Sequence, residues 1–263
     1  MHTERIRCPA HGGGGAHCAV WRDPSGRLHA CCHSHHCPEP EILAALGEID
    51  APIANASQTQ RNQAWALRIW QKTWPADHTL VETYLRLRGI RIKIPAALRF
   101  HPRLWHQNAK LCLPGMVAAV RDARGTLVGV HRTYLTSAGH KADVAPQKAA
   151  LGPTFGGVVV LAALAETLAL GEGIETMLSL QQATGIACWA SLGATNLPNI
   201  ELPAQVRKVF IAADSDDVGE AAAVQAARRY AREGRKVRIA RTGKTGADFN
   251  DILRGMTRRK WNG

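Results

Sequence analysis

Apolar positions along the chain follow three rhythms. Residues 1 to about 40 show a short apolar patch, Ala19-Val20-Trp21, and an Asp23-Pro24-Ser25-Gly26 turn before Arg27-Leu28-His29, which predicts a small β-hairpin module. PEPEILAALGEI (38–49) has helical spacing with Pro and Glu at its start. APIANASQTQRNQ (51–63) then loses both periodicity and large apolar side chains, and reads as a linker. Trp65, Ile69 and Trp70 predict an amphipathic helix from Ala64, and HTLVETYLRLRG (78–89) predicts a second that ends at Gly89. Between Ile90 and Leu151 the pattern becomes strand-like, with two apolar runs around a turn at Asp122-Ala123-Arg124-Gly125.

After Gly156-Gly157, continuous apolar runs alternate with helical stretches: VVVL, TLALGEG, a helix from about Ile174, IACWASL, KVFIAADSD, a helix from about Glu220 to Glu233, and KVRIARTG. This alternation predicts a parallel sheet, buried on both faces, with crossover helices. The chain therefore divides into a module at 1–50, a linker at 51–63, a basic α+β region at 64–155 and an α/β domain at 156–263. It contains no internal repeat, and its one low-complexity tract is Gly12 to Gly15.

The 263 residues are 46% hydrophobic, enough to fill a core, which excludes wholesale disorder. Thirty-three Lys and Arg against 21 Asp and Glu leave a formal charge of +12, which favours a polyanionic partner, nucleic acid first. No apolar run approaches the roughly 18 residues of a membrane span, and MHTERIRCPAHGGGG lacks a signal peptide's apolar stretch. A soluble cytoplasmic protein with no membrane partner is expected.

Acidic residues are scarce, so their places at strand ends carry information. Glu172 follows the apolar run 167–170, and Asp214 and Asp216 follow 209–213. In an open parallel sheet the carboxyl ends of adjacent strands form the ligand crevice, where these carboxylates can converge. Clustered negative charges call for a cation, and oxygen ligands alone select Mg²⁺ or Mn²⁺. Asp248 and Asp251, after the next strand, either complete that site or bind a second ion. The competing reading is that Asp214, Ser215 and Asp216 only cap the following helix, and a cap is the expected role of Asp217.

Gly-Glu172-Gly-Ile-Glu175-Thr, Ala-Asp214-Ser-Asp216-Asp-Val-Gly219 and Asp248-Phe-Asn-Asp251-Ile-Leu resemble, in order, the motifs of the Toprim domain of bacterial primases, topoisomerases and some nucleases. The resemblance implies a Toprim-type parallel sheet flanked by helices. It also implies that Glu172, Asp214 and Asp216 hold divalent metal for phosphoryl transfer, while Glu175 opens its helix and supports the site.

Cys8 and His11 stand three residues apart, and a second group, Cys31-Cys32-His33-Ser34-His35-His36-Cys37, follows about twenty residues later. Two ligand pairs on a hairpin match a closed tetrahedral Zn²⁺ site. Cys8, His11, Cys32 and Cys37 are the chosen ligands, with Cys31, His33, His35 and His36 competing for the second pair. A module of forty residues has too little core to fold unaided. The order of CxxH, hairpin, cysteine cluster and Toprim motifs resembles the zinc-binding modules of bacterial and phage primases, which implies a structural, template-reading zinc ribbon.

The basic middle, with Tyr84-Leu-Arg86-Leu-Arg88-Gly89 and Gly129-Val-His131-Arg132-Thr-Tyr134, resembles the segment before the Toprim part in compact primases of phages, plasmids and integrative elements. Arg132, Lys141 and Lys148 lie just upstream of the acidic sheet and are the expected nucleotide or template contacts, because phosphoryl transfer needs cations around the phosphates. Trp65, Trp70, Trp74 and Trp105 have the right company to stack on bases, but tryptophans on such elements more often fill a core, and core is the expectation. A DNA primase is thus expected: metal-dependent nucleotidyl transfer from NTPs on a single-stranded DNA template. With no Walker loop present, a helicase, if used, is another chain. The rivals are a Toprim nuclease and a non-catalytic zinc-dependent single-strand binder. A topoisomerase would need a tyrosine nucleophile and a large strand gate.

Overall fold

The computed structural model describes residues 3–11, 15–23, 28–35, 37–46, 51–213, 216–242 and 249–259. Asp214, Asp248, His36, the tract Gly12–Gly14, the Pro24–Gly26 turn and the Gly243–Gly246 loop lie outside the described residues. The chain splits into two compact units, Met1–Arg61 and Asn62–Gly263.

In the first unit, β1 (Thr3–Ile6), β2 (Cys18–Arg22) and β3 (Leu28–Cys32) form an antiparallel sheet in that order. The expected hairpin is present, pairing Trp21 with His29 and Cys18 with Cys32. Strand alternation turns Cys32 inward and Cys31 outward, so Cys32 is buried and Cys31 exposed. Helix α1 (Glu39–Ala45) contributes Ile42 to a small core with Cys8, Cys18, Ala30 and Cys32. His29 ties the sheet to the start of α1, lying 3.0 Å from Glu39 and 3.2 Å from Asp23.

Residues 51–63, read from the sequence as a linker, are helical: they begin α2 (Ala51–Gln71). Loss of apolar periodicity is the signature of a solvated face and does not by itself break a helix. Pro52 sits in the first turn, where it is tolerated, and no Gly or further Pro interrupts the remainder.

The second unit carries two five-stranded sheets. The first is antiparallel and runs β4 (Trp74–Pro75), β5 (Leu98–His106), β6 (Leu111–Arg121), β7 (Leu127–Tyr134), β8 (Lys148–Leu151), with the expected turn between β6 and β7. Between β4 and β5 lies α3 (Leu80–Leu87). The Thr79 hydroxyl accepts the Val81 N–H at its start, and Gly89, at φ 79°, closes it.

The second sheet contains β9 (Val159–Val160), β10 (Thr167–Gly171), β11 (Ala187–Ala190), β12 (Lys208–Ala212) and β13 (Lys236–Ala240), in the order β13-β12-β10-β11-β9. Four strands are parallel, as the alternation predicted, and β9 is an antiparallel edge. Helices α4 (Ile174–Thr184), α5 (Asp217–Arg232) and α6 (Phe249–Arg259) flank it.

Both faces of this sheet are dry. Leu168, Leu170, Val209 and Ile211 pack against Ala223, Ala226 and Tyr230 of α5 on one side. On the other, Ala169, Ala190 and Ala212 join Ile174 and Met177 of α4 in a core that also holds Met116, Ala118 and Val120 of the antiparallel sheet. Each fully buried Leu, Ile, Val or Met among them is worth about 1.5–3 kcal/mol over leaving it in water. Among the described residues no helix is long and apolar enough to cross a membrane.

Candidate functional site

Parallel pairing sets Gly171 at the end of β10 opposite Ala212 at the end of β12. The residues that follow, Glu172 on one strand and Ala213 on the other, therefore leave the sheet side by side at its carboxyl rim, where open α/β sheets bind ligands. A β-carbon at Gly171 would lie 2.5 Å from Met177 Sδ and 3.1 Å from the Ala212 methyl, so only glycine lets β10, β12 and α4 close up beneath Glu172. The exit of β11 fixes the same turn. Leu192 donates its N–H to the Glu172 carbonyl at 3.0 Å, and the Ser191 hydroxyl donates to the Gly171 carbonyl at 3.2 Å.

Asp216, and not Asp217, is the N-cap of α5, its Oδ1 accepting the Gly219 N–H at 2.6 Å. Capping takes one carboxylate oxygen and does not exclude a cation at the other, and the positive end of the helix favours carboxylates there. Glu220, one turn on, is clamped by the Arg241 guanidinium beyond β13, with Nε 3.0 Å from Oε2, and this hydrogen bonding holds its carboxyl below the usual range. Asp251 is exposed in the first turn of α6. Its neighbour Asn250 is buried and donates to the Arg88 carbonyl at 2.8 Å and the Ser179 hydroxyl at 2.9 Å, anchoring α6 to α4 and to the end of α3.

Three residues beyond Glu172, the first turn of α4 buries a charge. Glu175 Oε2 accepts from Lys148 Nζ at 3.0 Å, and Oε1 accepts from the Tyr84 hydroxyl at 2.5 Å. Burial alone would push this carboxyl up; Lys148, Lys141 and the Tyr84 hydroxyl together outweigh it and hold the group ionised, below the usual carboxylate range. Lys141 is half-buried beside the pair, and burial lowers its ammonium. His131 faces the same pocket: burial, then Lys148, depress its imidazole to about 4, and its buried Nδ1 has no hydrogen-bond partner among the described residues.

Arg132 is not part of this group. Register pairs Thr133 with Lys148 and His131 with Ala118, on the sheet face toward α4, whereas Arg132 pairs with Val117 on the opposite face. Its guanidinium lies 3.4 Å from the carbonyls of Ala149 and Ala150 and 5.9 Å from the Tyr134 ring centre. Side chains alternate every residue, so Arg132 lies on the sheet face opposite Lys148 and Glu175. Tyr84, ninety-one residues from Glu175, was missed as its partner, and nothing local in the sequence pairs them.

In the first unit, one ligand atom each from Cys8, His11, Cys32 and Cys37 lies within 4.8 Å of the others. It is the one group of three or more potential metal ligands found among the described residues. His11 Nδ1 is 3.2 Å from Cys37 Sγ and 3.8 Å from Cys32 Sγ. The His35 N–H, at 3.4 Å, and then the Ser34 hydroxyl bring the Cys32 thiol down to about 5, which readies it as a thiolate. Burial, then the neighbouring sulfurs of Cys32 and Cys8, push the Cys37 thiol up to about 11. Three sulfurs with one imidazole, half-shielded on a knuckle, fit Zn²⁺. Cys31, His33 and His35 are exposed.

No curated protein matches the sequence. Residues 60–161 match a domain of unknown function, DUF7146, and residues 167–258 match the Toprim domain. The chain therefore carries a Toprim domain, seated on the parallel sheet whose rim holds Glu172. Among solved structures it is similar to the DnaG catalytic core at 17% identity and a TM-score of 0.53, covering 78% of this chain and 79% of that one. It is similar also to the DnaG primase catalytic domain bound to ssDNA, at 17% identity and a TM-score of 0.52, over 79% and 80% of the two chains. The fold is that of a primase catalytic core.

Proposed function

We propose that this protein is a DNA primase that joins ribonucleotides on a single-stranded DNA template. The observation that carries the reading is the pairing of Gly171 with Ala212 at the ends of β10 and β12, one residue before Glu172 and two before Asp214 in the chain, within a Toprim domain on a primase-core fold. In the proposed reaction the 3′-hydroxyl oxygen of one nucleotide forms a bond to the α-phosphorus of the next. The bond from that phosphorus to the β-phosphate oxygen breaks, pyrophosphate leaves, and the hydroxyl proton passes to water. Mg²⁺ or Mn²⁺ held by Glu172, Asp214 and Asp216, with Asp248 and Asp251 as further carboxylates, would lower the hydroxyl's pKa and neutralise the departing pyrophosphate.

The chain's own residues do the rest. Glu172 and Asp216 are fixed by the β11 exit loop and the α5 cap. Lys141 supplies positive charge for the triphosphate. Lys148, engaged with Glu175, serves the site by holding the first turn of α4. Cys8, His11, Cys32 and Cys37 would bind structural Zn²⁺ and order the first unit as a template reader. The four-part division into 1–50, 51–63, 64–155 and 156–263 belongs to the same proposal.

The test is incubation of the protein with an unstructured oligonucleotide, labelled NTPs and Mg²⁺. Short new RNA supports the primase. Shortening of the oligonucleotide would replace it with a nuclease, and retention without chemistry with a binding protein.

A further inference from the structure

Among the described residues, three tryptophans of the second unit stand in solvent: Trp65 is 58% exposed, Trp74 57% and Trp105 49%. The core role expected of them is therefore wrong; only Trp70 packs, half-buried, against the core beside Ala66 and Leu104. Exposing an indole costs apolar burial, so exposed indoles gathered in one region mark a surface that meets a partner.

Register shows which of them act together. Trp74 pairs with Phe100, Phe100 with Met116, and Trp105 with Cys112. Cys112 and Met116 are four residues apart on β6, so Trp74 and Trp105 lie on the same face of the sheet, about 15 Å apart along it. β4 pairs only with Phe100 and Arg99, so beyond them β5 is itself the open edge of the sheet.

The electrostatics name the partner. Residues 62–76 and 83–121 contain no Asp or Glu, so α2, β4, β5 and β6 present cations alone. Arg68 lies 5.8 Å from the Trp65 ring centre, Arg99 lies 5.1 Å from that of Trp70, and Arg103 is exposed two residues before Trp105. Exposed indoles and guanidinium groups on elements that carry no carboxylate suit a strand whose bases are unpaired: rings stack on bases and cations meet phosphates. A paired duplex hides its base faces and would leave the indoles idle.

We propose that Trp74 and Trp105, with the exposed Arg103 two residues before Trp105, form a stacking platform for single-stranded nucleic acid along the open edge of the antiparallel sheet. The proposal rests on the reading that a single strand is the substrate and is independent of the chemistry at the carboxylate rim.

The test is binding of the full chain to a fluorescein-labelled oligo-dT, without Mg²⁺ or NTPs, read by anisotropy. Trp74→Ala and Trp105→Ala each weaken binding about 5- to 100-fold, the range for loss of one stacked base, while the salt dependence keeps its slope. Trp105→Phe restores most of the affinity, and Arg103→Ala lowers the slope by about 0.7 instead. Circular dichroism confirms that each variant is folded. Binding by the Trp74→Ala/Trp105→Ala double variant within twofold of the parent overturns the platform. So does equal binding of duplex and single strand by the parent, or a dimer in the parent that the double variant abolishes, which would make the surface a self-association face. If oligo-dT binding depends on the indoles while the parent makes no RNA, the platform stands and the primase reading falls.

Discussion

Lys148 and Glu175 meet at 3.0 Å, one at the start of β8 and the other in the first turn of α4, three residues after Glu172. Glu175 is 4% exposed at its side chain and Lys148 34%, so removing one partner does unequal harm. Glu175→Gln leaves a lysine that can still reach water, whereas Lys148→Met strands a buried carboxylate with only Lys141 and Tyr84. Lys148→Met is therefore expected to cost more stability, about 3 kcal/mol, than Glu175→Gln, and the double variant should recover part of the loss. Urea unfolding of the four proteins measures it, and strict additivity would show that the pair is not coupled.

The same pocket sets a dependence on pH. His131 in the folded protein titrates near 4, below its ordinary range near 6.5, so the folded state binds its proton less readily than the unfolded one. The contribution is complete above about pH 6.5 and is lost as pH falls toward 4. Glu175, held below the carboxylate range, keeps its contribution until pH drops below about 4.5, and loses it after that. The urea midpoint should fall from pH 6.5 to 4.5 and then more steeply. His131→Gln should flatten the first part only, and a parent with no slope in that interval would contradict the assignment.

At the rim, Asp216 has two separable tasks. Asparagine caps helices as well as aspartate does, so Asp216→Asn should leave the melting temperature within a degree or two while abolishing primer synthesis. Asp216→Ala loses the cap as well and should cost about 1 kcal/mol. Full synthesis by the asparagine variant would reduce Asp216 to a cap. Glu172→Gln and Asp214→Asn should also be inactive, with DNA affinity equal or higher because negative charge is removed.

Among the described residues, the core cluster of the first unit holds five buried residues, two of which, Cys8 and Cys32, belong to the candidate metal cluster. Its order should therefore depend on Zn²⁺. Cys32→Ser, or a strong chelator, is expected to release one zinc per chain and to lower protection of the β1–β3 amides against hydrogen exchange, with the second unit unchanged. Unaltered zinc content in Cys32→Ser would exclude that sulfur as a ligand.

What the sequence disclosed followed from local periodicity. Glu172 and Asp216 were legible because continuous apolar runs mark parallel strands and charges at their ends reach the rim. The four-ligand cluster was legible from spacing, and the choice of Cys32 over Cys31 then follows from strand alternation. Relations that depend on packing were not legible. The helical 51–63 segment has no apolar stripe to announce it. His131 and Arg132 differ by one residue and therefore by a whole sheet face. Asn250 of α6, bonded to Arg88 across 162 positions, reflects a contact that no short window contains.

The core formed jointly by Met116, Ala118 and Val120 with Ala169, Ile174 and Met177 bears on how the protein can be dissected. A fragment cut at residue 156 would keep every carboxylate of the rim and yet expose an oily flank and leave Glu175 without Tyr84 and Lys148. Such a piece would aggregate before it could be assayed. The smallest portion worth expressing to test the proposed chemistry begins before α3, near residue 62, and the carboxylate-bearing segments alone would lack the support that this shared core gives them.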